Sequence, residues 1–197
     1  MLEKISKWDE ALFLWLNQHH SDFMDPIMYY STRTFPWIPL YVFLIFLVWK
    51  AYGKQGWWVI LGVLLSILFA DQITSGLMKP FFERLRPCHE VLLNGMVHNY
   101  GNCGGKYGFA SSHAANSFAI ATSMYLGLSF KYPAVKWLFL WAIFFSYTRI
   151  YLGVHYPGDI LVGAFVGLIS GLAAFHIFRF IYNLIRMKSG INKIKTD

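Results

Sequence analysis

Apolar residues in this chain gather into long runs, not into the alternating or one-sided patterns of a soluble domain. The runs at about residues 35–50, 57–78, 110–130, 134–152 and 159–185 come near the roughly 20 residues that a hydrocarbon core requires. Gly53-Lys54-Gln55-Gly56, Lys131-Tyr132-Pro133 and Tyr156-Pro157-Gly158 are short turn sequences between them. Ahead of the first run, Trp8, Leu12, Trp15 and Leu16 recur at spacings of three and four, then meet Asn17, His19 and His20. That segment is too short to span and reads as a helix lying at the interface. The pattern therefore predicts an all-α fold, a polytopic membrane helical bundle of about five transmembrane helices plus an N-terminal interfacial helix over residues 8–20. One domain over residues 1–197 is expected. The opening MLEKISKWDE has no uninterrupted apolar core, so no cleaved secretory signal is expected.

Composition agrees with a bilayer as partner: 14% of residues are charged, against about 25% in an ordinary soluble domain. Disorder, collagen and a disulfide-dense scaffold are excluded. The formal charge of +7 does not point to nucleic acid, because the basic residues are spread between apolar runs and the C-terminus. Five crossings put 1–34, 79–109 and 153–158 on one side of the membrane. On the other side lie Lys50, Lys54, Lys131, Lys136, Arg179, Arg186, Lys188, Lys193 and Lys195, nine of the 17 basic residues. Several of the remaining eight look committed to chemistry, so the C-terminus is placed in the cytoplasm and the long loop 79–109 outside a cytoplasmic membrane. Cys88 and Cys103 in that loop can form a disulfide or stay as thiols, and an extracytoplasmic location favours the bridge. His89 and His98 lie nearby, but the spacing does not match common structural zinc sites. Oligomeric state is not readable from the pattern.

Three polar clusters fall where apolar runs end, and the topology brings all three to one membrane face. In the first, Lys79 and Arg86 are seven apart, two helical turns if the segment is helical, and two cations can clamp one phosphate. Snorkelling to headgroups is the alternative. In the second, Gly108-Phe-Ala-Ser111-Ser112-His113 opens a run, and a helix N-terminus there offers free N–H groups and hydroxyls to an anion, with His113 beside them as a proton donor. A plain serine cap with an interfacial histidine is the alternative. In the third, Arg149 has the planar fork that binds phosphate, and Asp159 lies four after His155, where it can accept one ring N–H and leave the other nitrogen free to attack. A buried Arg149–Asp159 pair is the alternative. Together they form an inventory for phosphoryl transfer: neutralising cations, a nucleophile and an acid. Carboxylates near the clusters are scattered at Asp71, Glu83 and Glu90, so no metal and no cofactor is expected. Asp71, Gln72 and Thr74 read as interhelical pairing, with lining the pocket as the alternative, Asn116 and Ser117 as supports for His113, and His176 as an interior group.

Lys79-x6-Arg86-Pro87, Ala110-Ser111-Ser112-His113 and Thr148-Arg149-x5-His155-x3-Asp159 resemble the type 2 phosphatidic acid phosphatase superfamily. The resemblance covers about residues 71–165, and the three parts together are specific where any one is not. It implies that His155 is the nucleophile forming a phosphohistidine, that Asp159 orients it, and that His113 is the general acid. Lys79, Arg86, Arg149, Ser111 and the amide of Ser112 would hold phosphate. Ala110, Ser112 and Thr148 depart from the family's proline, glycine and serine without removing a charged or nucleophilic group. The same superfamily includes soluble vanadium-dependent haloperoxidases, which the bilayer-length runs argue against.

The expectation is a bacterial integral membrane lipid phosphatase acting at the outer face. Candidate substrates are undecaprenyl diphosphate, lipid A phosphate, phosphatidylglycerol phosphate and phosphatidic acid. Specificity is assigned to residues 88–107 and 8–34, where Trp8, Trp15 and Trp37 can meet lipid chains. Transfer to an acceptor other than water and silent lipid-phosphate binding are the alternatives, and the pair His155 and His113 speaks against the second.

Overall fold

The computed structural model describes residues 2–194, with side chains over residues 3–184; Lys195 and the side chains of Arg186, Lys188 and Lys193, used above for orientation, lie outside the described residues. Eight α-helices follow in order: α1 (Leu2–Asn17), α2 (Met24–Ser31), α3 (Ile38–Tyr52), α4 (Gly56–Asp71), α5 (Lys79–Phe82), α6 (Ser112–Leu128), α7 (Leu138–Tyr151) and α8 (Pro157–Ile194). No strand occurs among the described residues.

Two helical stretches, Phe35–Phe82 and Pro157–Leu184, are long and apolar enough to cross a membrane. The first folds back on itself at Gly53, whose φ of 55° is open to a residue without Cβ. It thus yields α3 and the rod formed by α4, a wider helical turn over Gln72–Met78, and α5. The expected runs at 110–130 and 134–152 become helices of 17 and 14 residues. They are shorter than the runs because Ser129 and the turn before Pro133 end α6 early and a tight turn over Pro133–Trp137 precedes α7.

Helix α1 begins at Leu2, before the expected start, where an exposed Glu3–Lys7 pair four apart (2.9 Å) supports the extra turns. The stripe of Trp8, Leu12 and Trp15 is exposed, at 70%, 48% and 59%. Burial falls instead on Phe13 and Asn17. Asn17 donates to the carbonyls of Ile150 (3.1 Å) and Tyr151 (2.9 Å) at the end of α7 and exchanges two bonds with the backbone of His98. It thereby satisfies carbonyls that a helix terminus leaves free.

The site is positioned chiefly by the packing of α6 on α8. Gly163, Gly167 and Gly171 form a seam on α8, and a Cβ at any of them would drive into Ser111 O, Ala115 O or Thr122 of α6. The same approach lets Ser111 N donate to Asp159 O (3.0 Å), tying the two helix starts together. Gly167→Val should therefore cost about 1–3 kcal/mol. A lower midpoint in detergent thermal unfolding, with Gly62→Ala shifted far less, would show it. Gly62 tolerates a Cβ, whose nearest neighbour would be Phe178 at 3.7 Å.

Candidate active site

Helix α5 stops at Phe82, short of Arg86, because Glu83 takes φ 46° and the chain continues extended. Lys79 and Arg86 therefore do not share a helical face; the loop folds back to bring Arg86 to the site. An isolated bridge pairs Leu85 with Tyr107, and a disulfide joins Cys88 to Cys103 with Cα atoms 6.1 Å apart. Arg86 donates to Tyr107 O (3.2 Å) and Cys103 O (3.0 Å). Its stem meets His155 and Asp159 at Gly108, where a Cβ would lie 3.2 Å from Arg86 Cγ, 3.2 Å from Asp159 Oδ2 and 3.5 Å from His155 Nδ1. A side chain there would have to push Arg86 and Asp159 aside by a few tenths of an ångström.

Lys79 lies one turn after Ser75 and two after Asp71 on the α4–α5 rod. Ser75 Oγ donates to Asp71 Oδ1 (3.2 Å), and Lys79 Nζ donates to Ser75 Oγ (3.2 Å) and Ser112 Oγ (2.6 Å). The serine that replaces the family's glycine at position 112 is thus a partner for the lysine. Ser111 precedes α6 in an extended conformation, fully buried, and its Oγ has no partner. Arg149, 9% exposed, donates from Nη1 to Thr32 Oγ1 (2.8 Å), while its Nε has no partner. Two buried donors without acceptors beside three cations describe a cradle for an anion.

His155 is delivered by the turn between α7 and α8, where Gly153 (φ 73°) passes so close to His98 O that a Cβ would clash. Its Nδ1 lies 3.2 Å from Asp159 Oδ2, a carboxylate that also accepts the Tyr156 amide (3.0 Å). With Nδ1–H donated to Asp159, the lone pair of Nε2 is free to attack. Burial, reinforced by Arg86, Arg149 and Lys79, pushes His155 well below the usual histidine range. The ring is therefore neutral at neutral pH, as a nucleophile requires. His113, one residue into α6, stacks on Phe145 (5.7 Å, 22°) and lines two cavities that meet at it.

The Arg149–Asp159 pair considered from the sequence is not formed. Asp159 Oδ1 instead accepts from Arg84 Nη1 (2.8 Å), and Arg84 Nη2 reaches Asp9 Oδ2 (2.7 Å). Asp9 Oδ1 also accepts the amide of Gly158 (2.7 Å), and the Arg84 guanidinium lies 4.0 Å from the Tyr156 ring centroid. Arg84, Asp9, Ser75 and Thr32 were not singled out from the sequence. A signal existed for Asp9, which shares the i, i+4 row of Phe13 and Asn17 on α1, two polar groups on an inward face. Ser117, expected to support His113, instead bonds Ala114 O (3.1 Å). Asn116 Oδ1 has no partner.

A family pattern described as the PAP2 superfamily matches residues 55–182. A lipid A 4'-phosphatase of Bacteroides thetaiotaomicron is 36% identical over 174 residues, covering 87% of this chain and 77% of that protein. One of Porphyromonas gingivalis is 35% identical, covering 90% and 75%. The crystal structure of Aquifex aeolicus LpxE superposes with a TM-score of 0.66 at 28% identity, covering 84% of this chain and 93% of the other.

Proposed function

The chain belongs to the PAP2 superfamily, and from that premise we propose that it is an integral membrane lipid phosphatase working through a phosphohistidine on His155. The observation that carries this reading is the juxtaposition of an Asp159-bonded, neutral His155 with an anion cradle whose Ser111 Oγ and Arg149 Nε lack partners. His155 Nε2 attacks phosphorus, the bond from phosphorus to the lipid oxygen breaks, and His113 gives that oxygen its proton. Water then attacks the phosphohistidine, returning a proton to His113 and releasing phosphate. Lys79, Arg86, Arg149, Ser111 and the Ser112 amide carry the charge on the equatorial oxygens.

The cradle supports a reaction without metal or cofactor. It is built from cations and neutral donors, and the carboxylates closest to it, Asp159 and Asp71, already hold His155, Arg84 and Ser75. A lipid substrate is supported by the two cavities meeting at His113. One, about 420 Å³, is lined by Tyr29, Arg33, Asn102 and Arg149; the other, about 460 Å³, runs among Leu44, Ile67, Met124 and Trp141. A headgroup and a chain can be accommodated on either side of the reacting atom. In this reading α3, the α4–α5 rod, α6, α7 and α8 cross a bacterial cytoplasmic membrane and the site opens at its outer face, with α1 on the surface and the end of α8 cytoplasmic. Lipid A phosphate is the leading substrate, because both lipid A 4'-phosphatases resemble this chain over most of its length.

The test is phosphate release by detergent-purified protein, with chelator, from lipid A, undecaprenyl diphosphate, phosphatidylglycerol phosphate and phosphatidic acid. Release that is fastest from lipid A supports the reading; no release from any of the four overturns it.

The depressed basicity of His155 has a sign that can be checked. The active form is the neutral ring, so protonation removes activity only below the usual histidine range. With an aryl phosphate of low phosphate pKa, whose leaving group needs no proton from His113, the acid limb of kcat/KM should lie below the usual histidine range. An acid limb centred near 6.5 would contradict the assignment.

Asp9 and Arg84 act as positioning residues by fixing Asp159. Asp9→Asn keeps an acceptor for Gly158 but loses the ion pair, so kcat should drop about tenfold with KM little changed. Asp9→Glu should recover part of the loss. A change confined to thermal stability would reduce Asp9 to a structural contact.

A further inference from the structure

A second cluster of ligating side chains lies on the same face of the bundle and plays no part in the chemistry above. His20, in the link between α1 and α2, Asp25, in the first turn of α2, and His98, in the long loop, each offer one ligand atom, and the three lie within 4.8 Å of one another. We propose that they form a binding site for one divalent transition metal of the zinc class, which clips the N-terminal segment to the loop.

Three observations carry this. First, the imidazoles of His20 and His98 are face to face, with centroids 3.6 Å apart and planes 1° from parallel. The in-plane lone pairs of two parallel rings run side by side, so the exposed His20 ring turns out of this stack to share an ion with His98. Two imidazoles and one carboxylate are a set that selects zinc-like ions over magnesium or calcium.

Second, two of the three ligands are held in place beforehand. His98 Nε2 lies 3.0 Å from Asp25 Oδ1, and Tyr151 Oη donates to that oxygen at 2.7 Å. Asn17 pins the His98 backbone from both sides, donating to its carbonyl (3.0 Å) and accepting its amide (2.8 Å). Outer partners of this kind are what orient metal ligands. Asp25 is 5% exposed. Its charge faces His98, Tyr151 and His20, with no lysine or arginine bonded to it among the described residues.

Third, the remaining approach is small. Tetrahedral ligands about 2.1 Å from zinc stand about 3.4 Å apart, and His20 is exposed in a short link that can close the distance. On metal binding the proton of the His98 ring sits on Nδ1, and water or a second anion fills the fourth position. The clip would brace the loop carrying Tyr100 and Asn102, which line the mouth of the cavity reaching Arg149 and His113. The other cysteine–histidine group, Cys88, His89 and Cys103, has both thiols consumed by the disulfide.

The proposal does not depend on the hydrolytic reading, because its readout is binding. Full-length protein without a polyhistidine tag is stripped with chelator, then titrated with cobalt and zinc. One equivalent of cobalt with the intense visible bands of a four-coordinate site is expected, displaced by zinc, together with a higher thermal midpoint. His20→Ala and His98→Gln should each weaken zinc at least tenfold, and Tyr151→Phe about tenfold. His89→Ala and His155→Ala should leave binding unchanged. Absence of stoichiometric binding, or binding that survives His20→Ala and is lost in His113→Ala or His89→Ala, would overturn the assignment. Because His20 is exposed and its truncation removes only the stack on His98, a folding failure does not obscure the result.

Discussion

Phosphate release by His155→Ala is expected to fall by about 10⁴- to 10⁶-fold, to the level set by binding and cradle electrostatics alone. The magnitude follows from the geometry. The cradle neutralises charge on the phosphoryl group but presents no other nucleophile bonded to a carboxylate: Ser111 Oγ is unpartnered, and Ser112 Oγ is bonded to Lys79 and Ser75. Direct attack by water would have to use the space where the imidazole stood, without a base held by Asp159. The variant should fold, because Asp159 keeps Arg84 and the Tyr156 amide. His155→Gln, which fills more of the vacated volume, guards against a collapse artefact. Substrate should still bind to either variant, since Lys79, Arg86 and Arg149 remain. Turnover by both variants within tenfold of the parent would remove His155 from the mechanism.

Asp159→Asn is the second large effect, about 10³- to 10⁴-fold in kcat with KM little changed. The carboxylate receives three donors: Arg84 Nη1 on Oδ1, and the His155 ring and Tyr156 amide on Oδ2. An asparagine has one carbonyl oxygen. If it faces the imidazole, its NH₂ meets the guanidinium of Arg84; if it faces Arg84, its NH₂ meets the ring and stabilises the tautomer with the proton on Nε2. That tautomer has no lone pair on Nε2 to attack with. Either orientation leaves a buried donor unpaired, so a loss of about 1–3 kcal/mol in stability accompanies the kinetic loss. Rate and thermal midpoint measured on the same preparation separate the two. A drop in stability without a drop in kcat would mean that Asp159 is a structural anchor.

The sequence made the helical class and the chemical clusters legible for a common reason. Long apolar runs and charged residues at their ends are local features, and Lys79, Arg86, Ser111, Ser112, His113, Arg149, His155 and Asp159 sit at such ends. The ends of the elements were less legible. Continuation of the helix to Arg86 failed at Glu83, a residue with a side chain in the left-handed region, and no local pattern announces that. The apolar stripe of α1 is exposed, and the inward side is the row of Asp9, Phe13 and Asn17. Arg84 was hidden for a related reason. It sits two before Arg86 in a segment whose extended path and folded-back loop set what each arginine meets, and only the packing of α1 and α8 shows that Arg84 joins Asp9 to Asp159. Likewise, the stack of His20 on His98 depends on contact between residues 78 apart in sequence.

The most direct test of the phosphohistidine claim is chemical trapping. Protein mixed with lipid A labelled in its phosphate is quenched in alkali within milliseconds, digested, and searched for label. The account predicts a base-stable, acid-labile phosphorylated peptide containing His155, formed before phosphate is released and absent from His155→Ala. Label on any other residue, or full turnover with no labelled protein at any time, would contradict it.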